Sequence, residues 1–345
     1  MKKIIDNLEL LSSRELDCQI KTLQVALNHK KLNYSLNDIV LDSNAIRFDF
    51  KNINRSGLPI NMILGSSSTM IMDFASNTNV DISYYTGLSD EEDFQAITDA
   101  ISNSNCVMAI TDRTALLKML KPKLTKNLLA TNIRPYHAIL IYGVDTDKKK
   151  FLVCDLSTMD KKYHALWIDA EKLNSTRKGS FLDISINNDI YIIENCSGFK
   201  KTDSCHMLNK QIGLWRDSLV ASESEFDKTY SYILNSNESD SKQERYLNVQ
   251  TNVAVMSTSF DSSRTFYRNS FYEIFLSYYK GNSKDKLTSE IEDIVKIWKD
   301  FCFQVGEYRG KYTHKDILHI WNMINSAIKK ETAFCSNFLS YNNTL

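Results

Sequence analysis

The spacing of apolar residues along the chain changes once, near residue 195. Before this point short apolar runs with strand-like alternation are frequent, and after it apolar residues recur about every 3.6 residues, as in amphipathic helices. Four later segments place aromatic and aliphatic residues on one stripe: 211–234, 262–279, 289–305 and 313–325. The pattern predicts an α+β domain over 1–197 and an all-helical domain over 198–345.

The first domain is predicted to contain an antiparallel sheet of about five or six strands. The predicted strands are 80–85, 106–110, 138–144, 151–154, 181–186 and 190–193. The third and fourth of these form a hairpin across a charged turn, and the fifth and sixth form another across Asn187-Asn188-Asp189. Amphipathic helices are predicted over 16–29 and 90–101.

The first predicted hairpin carries a histidine and an aspartate. His137 opens its first strand, and Asp155 follows its second strand. Because the start of one antiparallel strand lies beside the end of the next, we expect the imidazole and the carboxylate at the same end of the sheet. A carboxylate in that place can fix the tautomer of a histidine that acts as a base.

Cys18 is the candidate nucleophile for this pair, since it lies at the start of the helical pattern over 16–29. Ser12, Ser13 and Asp17 are candidate N-caps of that helix. A cysteine in the first turn faces unpaired backbone N–H groups and the positive end of the helix dipole, which favour a thiolate. The alternative is that Cys18 is a small apolar residue of the core.

Composition limits the class of protein and of partner. The 42 Lys and Arg residues balance the 42 Asp and Glu residues, so neither nucleic acid nor an anionic membrane is the expected partner. Seven cysteines without a CxxC pair favour reduced thiols and a cytoplasmic location. No apolar run reaches the length of about 18 residues that predicts a membrane span, and the first residues are not typical of a secretory signal.

Metal and nucleotide chemistry are not predicted. His314 and His319 are spaced i,i+5 and so lie on different helix faces, and the chain has neither HExxH nor GxGxxG. The segments 65–68 and 306–312 lack the Gly-Lys-Ser/Thr ending of a phosphate loop. A glycosidase-type pair of carboxylates stays open, because 42 acidic residues offer too many pairs to rank.

The candidate residues resemble those of a known clan of enzymes. Asp17-Cys18 at a helix start, His137-Ala-Ile-Leu-Ile-Tyr-Gly143, and Val153-Cys154-Asp155 resemble the papain-like cysteine peptidases of the C39 clan. Most of the chain is similar to the butirosin biosynthesis protein H family, which joins such a domain to a helical C-terminal region. Further similarities are Thr111-Asp112 after an apolar strand, the segments 167–173 and 264–276, and Trp298.

The resemblance implies a papain-like first domain with a catalytic triad of Cys18, His137 and Asp155. It implies an acyltransferase that moves an acyl group from a carrier-protein thioester to an amine, forming an amide in antibiotic biosynthesis. Amide-forming enzymes of polythioamide (closthioamide-type) pathways are similar. The implied partners are an acyl carrier protein, whose phosphopantetheine holds the acyl group, and a small amine or polyamine. No cofactor or metal of its own is expected, and a homodimer stays open.

The family pattern is incomplete around the cysteine. Peptidases of the clan have an oxyanion-donating glutamine six residues before the cysteine and a glycine after it, where this chain has Ser12 and Gln19. Ser12 or Ser13 is the substitute oxyanion donor that we expect, together with the Cys18 N–H, and Asp112 is a further candidate for the substrate site. The differences disfavour an efficient protease more than an enzyme supplied with an activated thioester. A peptidase or thioesterase with the same triad, and a non-catalytic binding module, remain alternatives.

Overall fold

The computed structural model describes eleven stretches of the chain, namely residues 1–10, 17–47, 49–55, 58–64, 69–120, 137–156, 165–181, 184–236, 241–259, 264–306 and 312–342. Two compact units make up the chain. The sheet unit comprises residues 1–39 and 71–201, and the helical unit comprises residues 40–70 and 202–345. The predicted boundaries, 1–197 and 198–345, differ from these units mainly at residues 40–70.

The sheet unit is α+β, as predicted. Its strands are β1 (Lys2–Ile4), β4 (Asp81–Tyr85), β5 (Val107–Thr111), β6 (His137–Asp145), β7 (Lys150–Cys154), β8 (Leu166–Asp169), β9 (Lys178–Phe181), β10 (Ile184–Asn187) and β11 (Ile190–Asn195). Its helices are α1 (Cys18–His29), α3 (Met70–Thr78), α4 (Asp90–Ser102), α5 (Arg113–Leu120) and α6 (Ala170–Ser175). Helix α2 (Leu36–Asp42) spans the point where the chain passes from one unit to the other.

Seven of these strands form one antiparallel sheet in the order β4-β11-β5-β6-β7-β8, with β1 paired to the end of β6. Every residue of β6 is buried, and both α1 and α4 pack against β5 and β6. Both β1 and β7 lie close to Gly143 of β6, because a Cβ there would meet Leu152 Cβ at 2.9 Å and the Lys3 carbonyl oxygen at 3.2 Å. The strand that begins with His137 therefore has no room for a side chain at this position.

The first predicted hairpin is confirmed, since β6 pairs antiparallel with β7 and their turn joins Asp145 to Lys150. The second predicted hairpin is wrong. Strand β10 pairs with β9, whereas β11 lies between β4 and β5 in the main sheet. Ile190, Ile192 and Ile193 of β11 are buried, and a strand with apolar residues on both faces is stabilised at the centre of a sheet rather than in a peripheral hairpin.

The C-terminal helices are α7 (Ser204–Leu234), α8 (Ser241–Ser259), α9 (Arg264–Tyr278), α10 (Lys284–Gly306) and α11 (His314–Asn342). The four predicted segments fall on α7, α9, α10 and α11, and α8 was not predicted as a separate helix. The apolar faces of these helices form a core that includes the fully buried Trp215, Trp298 and Trp321. Among the described residues, no helix is both long enough and apolar enough to cross a membrane.

In the described part of 198–345 the secondary structure is entirely helical, as predicted, but the helical unit also contains the hairpin of β2 (Asp49–Arg55) and β3 (Leu58–Leu64). An isolated two-stranded hairpin is marginally stable in water and needs a further layer to cover it. Here β2 packs against α7 and β3 packs against α8, about 150 or more residues away in the chain. Such distant packing leaves no local pattern that could place the hairpin in this unit.

Candidate functional site

Strand pairing fixes the backbone of His137, and burial restricts its imidazole ring. His137 is the first residue of β6 and pairs with Thr111, the last residue of β5. The Thr111 hydroxyl donates a hydrogen bond of 3.1 Å to the His137 carbonyl oxygen. Only 2 % of the His137 side chain is exposed, so the ring has little freedom to change its orientation.

Asp155 directly follows β7, and its Oδ1 atom lies 3.0 Å from Nε2 of His137. The contact confirms that the hairpin brings the two residues to the same end of the sheet. Asp155 is 13 % exposed, so the pair lies at the border of the buried region. Because Nε2 faces the carboxylate, Nδ1 is the ring nitrogen that remains for a second partner.

Cys18 is the first residue of α1, and Asp17 is the N-cap of that helix. Asp17 is one of the three residues that the sequence offered as candidate N-caps. The Asp17 carboxylate accepts hydrogen bonds from the backbone N–H groups of Gln19 at 2.8 Å and Ile20 at 3.3 Å. The cap fixes the start of the helix, and with it the place of the cysteine. The other two cap candidates, Ser12 and Ser13, lie outside the described residues.

The Cys18 thiol lies beside the strand that carries the histidine. The backbone N–H of Ala138 donates a hydrogen bond to Cys18 Sγ at 3.4 Å, and α1 packs against β6. The cysteine is 8 % exposed, so it is largely buried but keeps a small solvent-accessible area. The structure therefore brings Cys18, His137 and Asp155 together, although 120 residues separate Cys18 from Ala138.

The electrostatic surroundings favour a protonated histidine. Burial lowers the pKa of His137, but the charges of Asp155 and Cys18, and hydrogen bonds with both, outweigh this effect and raise the pKa to about 10. An imidazolium held by a carboxylate beside a thiol can act as a general acid, and the neutral imidazole that it leaves can act as a base. The arrangement is thus chemically suited to nucleophilic attack by sulfur.

Burial suppresses the ionisation of three other cysteines of the sheet unit. Burial raises the pKa of Cys106 and of Cys154 to about 12, and burial also raises the pKa of Cys196. Their thiols stay protonated at neutral pH, and a protonated thiol is a poor nucleophile. Cys154 adjoins Asp155 but belongs to the buried core of β7.

Asp112, a candidate for the substrate site, caps a helix. Its Oδ1 atom accepts a hydrogen bond of 2.9 Å from the Ala115 N–H in the first turn of α5. It follows Thr111, the pairing partner of His137, so it lies next in the chain to the residue that holds the histidine backbone. A role of Asp112 toward a substrate stays a prediction.

Two residues support the site through contacts that sequence reasoning did not predict, although Thr111 itself was noted with Asp112 at the end of its strand. Thr111 ends an apolar strand as one of many threonines, and only the pairing with His137 reveals its contact. Lys21 lies in α1 and is buried, with its ammonium group hydrogen-bonded to the Leu156 carbonyl oxygen at 3.1 Å. The sequence signal for a buried lysine was its position within the largely apolar stretch Ile20 to Leu27. This signal is weak, because a long lysine side chain on an apolar face often reaches solvent.

The described residues contain no group of three or more His, Cys, Asp or Glu side chains that could hold a metal ion. In comparisons with known proteins, no family model matches the chain and no curated protein matches it.

Proposed function

We propose that this protein is a cysteine-dependent acyltransferase, which moves an acyl group from a thioester to an amine and so forms an amide. The observation that best supports it is one buried imidazole, that of His137, in contact with the Asp155 carboxylate and the Cys18 thiol. A papain-like fold of the sheet unit belongs to the same proposal. It is supported by the packing of the helix that carries Cys18 against the antiparallel strand that begins with His137.

In the first step the Cys18 thiolate attacks the carbonyl carbon of the acyl thioester. A bond forms between Sγ and that carbon, and the bond from the carbon to the donor sulfur breaks. The His137 imidazolium gives its proton to the departing thiolate, so the products are an acyl-enzyme and a free donor thiol. The Cys18 N–H, at the first helical position, has no intrahelical acceptor and can donate to the developing oxyanion.

In the second step an amine attacks the acyl carbon bound to Cys18. The neutral His137 takes the amine proton, the carbon–sulfur bond breaks, and the thiolate–imidazolium pair is restored with release of an amide. Asp155 keeps the imidazole in one orientation through both steps and stabilises the imidazolium each time it forms. Transfer to an amine also requires a site that binds the amine and excludes water from the acyl-enzyme.

The identities of donor and acceptor are proposed from the resemblance to the butirosin biosynthesis protein H family. The donor would be an acyl carrier protein with a phosphopantetheine arm, and the acceptor a small amine or polyamine, in natural-product biosynthesis. An activated thioester suits a site without the glutamine of the clan, because loss of one oxyanion donor costs roughly 2–4 kcal/mol of transition-state stabilisation. Ser12 or Ser13 remains the predicted replacement for that donor.

The test is intact-protein mass spectrometry of the full chain after mixing with acyl-phosphopantetheine thioesters. Wild type, Cys18→Ala and Cys205→Ala are compared, and a small diamine is added in a second incubation. Cys205 is exposed and serves as the control for nonspecific acylation of a surface thiol. We expect an acyl adduct on wild type and Cys205→Ala that is absent from Cys18→Ala, and the diamine should discharge it as an amide.

Other outcomes would assign a different function. Discharge of the adduct only as the free acid, with or without the diamine, would favour a thioesterase or peptidase. No adduct from any thioester, with ligand binding retained by Cys18→Ala, would favour a non-catalytic binding module. An adduct that persists in Cys18→Ala would contradict the assignment of the nucleophile.

A further inference from the structure

The helix that carries the candidate nucleophile also carries a buried lysine, Lys21. Lys21 is one helical turn after Cys18, so the two side chains share a face of α1. The lysine is only 1 % exposed. Lysine is rarely buried to this extent, since removing an ammonium group from water costs several kcal/mol unless it is hydrogen-bonded or paired. A buried ammonium at this place therefore calls for a specific explanation.

The hydrogen bond of Lys21 connects two parts of the candidate site. Its Nζ atom donates to the carbonyl oxygen of Leu156 at 3.1 Å, across 135 residues of sequence. Leu156 is fully buried and directly follows Asp155. A hydrogen bond from a charged donor is stronger than one between neutral groups. The lysine thus fastens the segment that leaves β7 to helix α1.

We propose that Lys21 is a positioning residue of the site, which fixes the Asp155–Leu156 segment to the helix of Cys18 and thereby holds the Asp155 carboxylate against His137. The inference rests on the proposed function, because it gives the lysine a role in that same site. The functional groups of an active site must be held within about 0.5 Å of their productive geometry by supporting contacts. Asp155 lies outside the paired residues of β7, so the sheet alone does not hold it.

Packing alone does not require an ammonium here, because a methionine of similar volume could fill the same space. What a methionine could not supply is a donor for the Leu156 carbonyl. Among the residues that the structure describes, the titratable groups named at the site besides Lys21 are Asp17 and Cys18 on α1, His137 on β6 and Asp155 after β7.

The test measures the rate of alkylation of Cys18 by iodoacetamide between pH 5 and pH 10, on the full chain, with peptide mass spectrometry to report this cysteine alone. Lys21→Met is compared with wild type and with Lys3→Met. Lys3 is the matched control, because its ammonium also donates to a backbone carbonyl of the sheet unit, that of Ser102, but on β1. Thermal unfolding of each variant is recorded in parallel.

We expect Lys21→Met to lower the alkylation rate at pH 6 about tenfold, the effect of a change of one pKa unit in the ion pair. The rate at pH 10 should stay within about twofold of wild type, because a thiol of ordinary pKa, about 8.5, is ionised there without help from an imidazolium. Lys3→Met should keep the wild-type profile. A loss of packing alone would lower the unfolding temperature without this selective loss at low pH.

An unchanged pH profile in a folded Lys21→Met protein would overturn the inference and leave the proposed function intact. If wild type itself lacks reactivity at pH 6 beyond that of an ordinary thiol, the proposed function fails, and the inference fails with it. If Lys21→Met does not fold, Lys21→Gln replaces it in the same experiment. Its side chain is shorter and neutral, so we also expect a lower rate of Cys18 alkylation at pH 6. A Lys21→Gln protein with the wild-type profile would overturn the inference.

Discussion

Nε2 of His137 and Oδ1 of Asp155 lie 3.0 Å apart, at the end of the sheet where β6 begins and β7 has ended. The thiol of Cys18 reaches the same imidazole from a different element, the N-terminus of α1. One short hairpin thus supplies the proposed base and its carboxylate, and a direct hydrogen bond joins the two side chains.

The carboxylate can be tested by Asp155→Asn. This change keeps the shape of the side chain but removes the negative charge that raises the pKa of His137. We expect kcat/KM for amide formation to fall by roughly 10²-fold or more, the usual contribution of general acid–base catalysis. The measurement is steady-state product formation, with circular dichroism as a check of folding. A folded variant with wild-type rates would remove Asp155 from the mechanism.

The raised pKa of His137 predicts a pH dependence of stability. The pKa of about 10 lies above the ordinary value of 6.5, so the folded protein holds this proton more tightly than the unfolded chain. The stabilisation is complete below pH 6.5 and is lost as the pH rises through about 10. Urea unfolding between pH 6 and pH 10 should show this loss in wild type and not in His137→Gln.

The control for that experiment is His319→Gln, which removes an exposed histidine of the helical unit that bonds to Gln304. It should keep the wild-type dependence on pH. The same loss of stability in His137→Gln as in wild type would show that other groups cause it.

Thr111 is expected to support His137 through the backbone. Thr111→Val keeps the shape but removes the hydroxyl that donates to the His137 carbonyl oxygen, which we expect to cost about 1 kcal/mol of stability. The matched control is Thr98→Val, since the buried Thr98 hydroxyl oxygen has no hydrogen-bond partner among the described residues. Thr98→Val should be neutral or stabilising. Equal effects of both changes in denaturant unfolding would contradict the assigned role of Thr111.

A buried network in the helical unit gives a prediction that is independent of catalysis. Arg268 and Glu331 are fully buried and paired at 2.9 Å, and the indole N–H groups of Trp215 and Trp298 both donate to Glu331. Glu331→Ala would leave the Arg268 charge unpaired, and we expect it to cost roughly 3–5 kcal/mol.

The comparison for this prediction is the surface pair of Lys330 and Asp293, with both side chains about half exposed. Lys330→Ala should cost less than about 1 kcal/mol, because exposed ion pairs contribute little in water. Chemical denaturation of both variants measures the difference. Similar costs for the two changes would mean that the buried network contributes no more than a surface pair.

Several features of this protein were determined by the sequence alone, because neighbouring residues encode them. The 3.6-residue stripes predict α7, α10 and α11, and two apolar runs around a charged turn predict the hairpin of β6 and β7. The helical pattern places Cys18 in or near the first turn of a helix, and the structure selects Asp17 from the three candidate caps. From the hairpin, elementary strand geometry brings His137 and Asp155 together.

Only the tertiary structure decided the features that depend on partners far away in the chain. The place of β11 between β4 and β5, and the membership of β2 and β3 in the helical unit, follow from pairing and packing over long separations. The contact of Lys21 with the Leu156 carbonyl and the raised pKa of His137 have the same origin. Burial and long-range contacts are properties of the folded chain, so no local pattern of residues contains them.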